Sequence, residues 1–90
     1  MADQVLKMRL TPSGLGAEAA LELERAIMLH TPMHGPHDGY AVLLEEVDEL
    51  WDEVRKRHPD RAAMRKEAIQ IAAMALRFVH DVCDPEASRG

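Results

Sequence analysis

Apolar residues recur along the chain at the three-to-four-residue spacing of amphipathic helices, and clusters of Pro and Gly divide them into three blocks. In the first block Ala19, Leu23, Ala26, Ile27 and His30 share one helical face, which predicts a helix over about 15–30. The lead-in, 1–14, has no clear period and contains Thr11-Pro12-Ser13-Gly14, so it reads as an arm. The stretch HTPMHGPHDG, 30–39, holds two prolines and two glycines and reads as a loop. A second helix is expected from an N-cap at Asp38 to Arg57, its basic end RKR complementing the helix dipole. His58-Pro59-Asp60 interrupts the chain, and Asp60 is placed to cap a third helix that lasts until Asp84-Pro85. The expected organisation is an N-terminal arm (1–14), one all-α domain (15–84) and a short tail (85–90).

On the second helix Tyr40, Leu43, Leu44, Val47, Leu50, Trp51 and Val54 fall on one broad arc, the expected core face. The acids are not confined to the opposite side. Glu46, Glu49 and Glu53 border the arc, whereas Asp48 and Asp52 point away from it, as a solvated face requires. Glu46 and Glu49, at i and i+3, repel each other on adjacent turns. Lys56 and Arg57 are spaced to pair with Glu53 or Asp52 but not to neutralise Glu46 and Glu49 together.

The third helix contains AIQIAAMAL, 68–76, uncharged and with Gln70 as its one polar side chain, so it is expected to be buried on most sides. Three helices from one chain do not supply that much cover, and a dimer would. Glu67 and Gln70, again at i and i+3, project from this segment, with Met74, Phe78 and Asp81 continuing the line. A carboxylate beside an apolar helix is costly unless it is paired or bound to a metal. The short connection between the second and third helices favours an antiparallel hairpin in which Glu46, Glu49, Glu67 and Gln70 converge. Hard oxygen donors of this kind select Mg²⁺ or Mn²⁺ over zinc.

Composition narrows the alternatives. Hydrophobic residues make up 47% of the 90 residues but aromatics only 3%, which makes the core aliphatic and favours helices. The formal net charge of −5 argues against nucleic acid or an anionic membrane as partner. Cys83 is the single cysteine, so there is no intrachain disulfide and no zinc set, and it is expected as a small buried or half-exposed thiol. With no apolar run of membrane-spanning length and no leader-like start, a soluble, cytoplasmic protein is expected. His30, His34 and His37 have metal-like spacing, but Pro32, Gly35 and Pro36 remove the helix that would align them.

Glu45-Glu46-Val47-Asp48-Glu49 followed by Glu67-Ala68-Ile69-Gln70 resembles the EExxE…ExxD signature of the MazG-like all-α nucleoside triphosphate pyrophosphohydrolases. The similarity spans most of 17–83 and departs from the pattern at Gln70, where the family has Asp. The resemblance implies a four-helix-type bundle core made by a helical hairpin plus an N-terminal helix through dimerisation, as a homodimer or dimer of dimers. It implies hydrolysis of a nucleoside triphosphate, (d)NTP, to (d)NMP and pyrophosphate with Mg²⁺, or possible Mn²⁺, as cofactor. Glu46, Glu49, Glu67 and Gln70 would take the places of metal ligands and Glu45 that of a catalytic helper beside the catalytic Glu46, Glu49 and Glu67. Phosphates would be oriented from among Lys66, Arg77, Arg61 and Arg65, and the base would meet Met33, His34 and His37. The alternative is a noncatalytic nucleotide-binding or assembly dimer on the same fold, its metal site degraded at Gln70.

Overall fold

The structure, a computed structural model, describes Lys7 and residues 10–86; the expected arm and tail lie largely outside these residues. The described residues are helical, with no strand among them: α1 (Pro12–Leu29), α2 (Pro36–Val54) and α3 (Arg61–Phe78), followed by a π-helical turn over Val79–Cys83. Among these described residues no helix is long and apolar enough to cross a membrane.

The helix ends depart from expectation where proline was read only as a breaker. Thr11 caps α1, its hydroxyl accepting the Gly14 N–H at 3.1 Å, and Pro12 occupies the first turn. Pro36 likewise opens α2, because a first-turn proline lacks an N–H that would have no helical partner anyway. Asp38 is therefore not the N-cap; it sits inside the first turn of α2 and its carboxylate accepts the His34 N–H at 3.0 Å. Asp60 caps α3 as expected, accepting from the Ala62 N–H at 2.9 Å. At the other ends, α2 stops at Val54 rather than Arg57, and α3 widens into the π-turn before Asp84.

Every extensive helix–helix contact involves α3. Its pairings fix the directions. Gly39 lies against Phe78, Val42 and Leu43 pack on the Ala26–Ala73–Met74 cluster, and Glu46 and Glu49 reach Glu67, so α2 and α3 are antiparallel. Glu18 meets Arg65, Glu22 meets Gln70, and Arg77 meets Thr31 just past the end of α1, so α1 runs parallel to α3.

The inward face of α2 is rotated from the expected arc. Gly39 is buried and Val42, Leu43, Glu46, Leu50 and Glu53 are half-buried, whereas Tyr40, Leu44, Val47, Trp51 and Val54 are exposed, Tyr40 by 61% and Trp51 by 58%. On α1, Ala19 and Ala26 are buried and Leu23 half-buried as expected, but Ile27 and His30 are exposed. In the 68–76 segment only Ala73 and Met74 are buried, and Ala68, Ala72, Ala75 and Leu76 face outward. Cys83 is exposed. The sequence pattern could mark these positions as apolar but not say which of them this one chain covers.

At Gly39 the Phe78 side chain of α3 lies directly against the α2 backbone. A methyl group there would stand 2.7 and 2.9 Å from the Phe78 ring and 3.1 Å from the Met33 sulfur. Gly39→Ala gains about 1 kcal/mol of helix propensity, but forcing the ring aside costs about 1–3 kcal/mol. We expect a lower melting temperature for Gly39→Ala; a higher one would show that the ring yields freely.

Candidate metal centre and adjoining cavity

Glu46 and Glu49 lie on adjacent turns of α2, and the antiparallel pairing brings Glu67 of α3 opposite them. One carboxylate oxygen from each can be chosen so that all three lie within 4.8 Å of one another. No other such group of His, Cys, Asp and Glu side chains forms among the described residues, so the three histidines at 30, 34 and 37 make no cluster. Glu46 and Glu67 are half-buried and Glu49 is exposed.

The electrostatics record the crowding. Burial pushes the Glu46 carboxyl up to about 7, reinforced by the charge and hydrogen bond of Glu49 and the charges of Glu67 and Glu45. Glu67 is raised too, first by burial and then by its hydrogen bond with Glu49 and by that charge, against the opposing pull of Lys66. Both shifts favour the protonated form over three free charges. Three convergent carboxylate oxygens without nitrogen or sulfur donors match the preference of Mg²⁺ or Mn²⁺.

Beside the cluster a cavity of about 500 Å³ opens between α1 and α2, with α3 as its floor. Glu45 and Glu46 form its rim toward the acids, while Ala26, Met33, Val42 and Met74 supply apolar wall. Gln70 lines it as well and does not stand free. Its amide donates to Glu22 Oε2 on α1 at 2.9 Å, and Glu22 also faces Arg25 at 3.5 Å.

The cationic residues divide. Arg77 lines the cavity but is 6% exposed and committed: its guanidinium donates to the Thr31 carbonyl at 2.6 Å and faces Asp81 at 3.3 Å. Asp81 in turn accepts the Met33 N–H at 3.0 Å and contacts His80 Nδ1 at 2.6 Å. Burial alone would raise Asp81, but the bonds from His80 and Met33 and the Arg77 charge outweigh it and hold this carboxyl below its ordinary range. Arg77 and Asp81 therefore clamp the 31–33 segment over the cavity. Lys66 lies instead along a second groove between α1 and α3, with Arg65, which pairs with Glu18 at 2.7 Å. His34 lines the main cavity; His37 and Arg61 line neither. Glu22 and Arg25 were not singled out in the sequence, since nothing within α1 reveals its register against α3. The Arg77–Asp81 clamp was legible in principle as an i, i+4 pair.

Comparison with protein-family models, with curated proteins and with solved structures returned no match.

The raised Glu46 carboxyl sets a pH dependence. Its folded value, about 7, exceeds the ordinary 4.5, so the folded state binds the extra proton between them. The stability this contributes is complete below the ordinary value and is lost as pH rises through about 7. Denaturant unfolding in chelator is expected to show weaker stability at pH 8 than at pH 5.5, with Glu46→Gln reducing the difference. An unchanged difference in that variant would place its origin elsewhere.

Proposed function

We propose that this protein is a divalent-metal-dependent nucleoside triphosphate pyrophosphohydrolase of the MazG-like kind, cleaving (d)NTP to (d)NMP and pyrophosphate. The observation that carries the reading is the meeting of Glu46, Glu49 and Glu67 at the α2–α3 seam, on the edge of a nucleotide-sized cavity. The EExxE arrangement of Glu45, Glu46 and Glu49 supports it. Divalent ions, when bound, offset the triphosphate charge and polarise phosphorus. Glu46, Glu49 and Glu67 hold them. Glu45, which lines the cavity beside Glu46, would receive a proton from the attacking water. Arg25 lines the cavity with a side chain largely in solvent, faces Glu22 at 3.5 Å, and would swing from that contact toward phosphate. Arg77 acts indirectly, by fixing the 31–33 segment through Thr31 and, with Asp81, Met33. His34 and Met33 border the base.

The noncatalytic alternative is favoured by one observation, the engagement of Gln70 with Glu22 at the position where the signature has a charged ligand. A pyrophosphate-release assay across NTPs and dNTPs with Mg²⁺ and Mn²⁺ separates the two. Hydrolysis is expected, falling by about a hundredfold or more in Glu49→Gln, since metal coordination contributes several kcal/mol. Absence of hydrolysis with either ion would remove the enzyme reading.

The assembly proposed is a homodimer with a four-helix core. Tyr40, Leu44, Val47, Trp51 and Val54 repeat at alternating four- and three-residue steps, the spacing of a helix seam. On α3 Ala68, Ala72, Ala75 and Leu76, and Val79 just beyond its end, are exposed as well, which extends the uncovered apolar surface. A second copy presents the matching face about a two-fold axis. Burying each large side chain there contributes about 1.5–3 kcal/mol. Light scattering is expected to give a dimer at micromolar concentration, and Trp51→Glu a monomer with a lower melting temperature. A wild-type monomer would contradict this assembly.

A further inference from the structure

Glu22 and Gln70 stand at a defined level along the cavity. Gln70 is three residues beyond Glu67, about 4.5 Å along the α3 axis, whereas Met74 is about 10.5 Å along. A nucleotide with its phosphates at the Glu46–Glu49–Glu67 cluster therefore brings its sugar to the Glu22–Gln70 level and its base to the Met74 level. The two levels differ in chemistry. The outer one is walled by Ala26, Met33 and Met74, with His34 also lining it and the buried Arg77 donating to the Thr31 carbonyl while its Nε, 3.3 Å from Asp81, completes no hydrogen bond. The inner one presents an accessible carboxylate: the Glu22 side chain is 26% exposed, and a single Gln70 bond and the 3.5 Å Arg25 contact leave acceptor sites open.

We propose that Glu22, oriented by Gln70, reads the sugar of the bound nucleotide by accepting a hydrogen bond from its 2′-hydroxyl, so that this cavity selects ribonucleotides over deoxyribonucleotides. A carboxylate is suited to this, being acceptor-only when ionised, whereas a hydroxyl always has a proton to donate. The Gln70 amide holds it in position without bringing a competing negative charge. Gln70 thus serves α1 rather than the acid cluster, and Glu22 is the specificity residue. This assignment rests on the nucleotide reading above.

The test compares ATP with dATP and UTP with dUTP for the wild type, Glu22→Gln and Glu22→Ala, each verified as folded by circular dichroism. A hydrogen bond to a charged acceptor corresponds to about a ten- to hundredfold preference. The ribonucleotide is expected to be favoured to that extent in kcat/KM, mainly through KM, in both the ATP/dATP and the UTP/dUTP pair. The ribo/deoxy ratio should collapse in Glu22→Ala and shrink in Glu22→Gln. Equal use of ribo and deoxy forms, or a preference that survives in Glu22→Ala, overturns the sugar reading and leaves hydrolysis standing. A parallel calorimetric titration of AMP and dAMP in Mg²⁺ keeps the two claims separate. If no triphosphate is cleaved but AMP binds more tightly than dAMP and Glu22→Ala abolishes the difference, the sugar reading stands while the hydrolase reading falls. Equal or absent binding of AMP and dAMP, where no triphosphate is cleaved, overturns the sugar reading.

Discussion

Three carboxylates facing one another across a helix seam are the constraint around which the protein is organised. Like charges brought within a few ångströms in a partly buried setting repel, and the chain has two ways to relieve them, a shared proton or a cation. The first is visible in the elevated Glu46 and Glu67 carboxyls. Lys56 and Arg55 do not relieve the cluster, because they pair with Glu53 and Asp52 on the next turn. Lys66 opposes the shift at Glu67 but does not cancel it, so the seam retains excess negative charge, the feature on which the proposed cation site rests.

The remainder of the fold holds that seam in register. At one end, the absence of a side chain on Gly39 lets the Phe78 ring lie against α2, so the hairpin closes tightly there. On the other flank α1 runs alongside α3, pinned by Glu18–Arg65 and Glu22–Gln70. The surface ion pair contributes little energy by itself. The Glu22–Gln70 bond differs in being part-buried and in lying on the cavity wall, whose surface it shapes. The Arg77–Asp81 clamp then ties the loop after α1 to the end of α3, so the cavity is bounded on its outer side by backbone that has no helix to stiffen it.

The features legible in the sequence were those set by spacing within one helix. Glu46 and Glu49 at i, i+3, Glu67 one hairpin arm away and the Asp60 cap could be placed from periodicity and turn residues alone. Features requiring the rotation of one helix against another were not. The apolar arc of α2 is wide enough to serve two partners, and the hydrophobic pattern does not say that Leu43 and Leu50 turn toward α3 while Val47 and Trp51 turn outward. Gln70 was legible as a departure from an acidic pattern, but its bond to Glu22 depends on the register of α1, which no local signal encodes. The proline-opened helix starts at Pro12 and Pro36 were misread because proline both breaks a helix interior and favours a first turn.

The central claim, that the Glu46–Glu49–Glu67 seam exchanges its proton for a divalent cation, is tested most directly by calorimetric titration of Mn²⁺ into the protein at pH 6.5 and 8.5, each in buffers of different ionisation enthalpy. Metal binding to protonated ligands must release protons, so the account predicts saturable binding with release of up to about one proton per bound ion at the lower pH. Release should diminish at the higher pH, and binding should be lost in a Glu46→Gln, Glu49→Gln double variant. Saturable binding that persists in that variant, or no binding in the wild type, would contradict it.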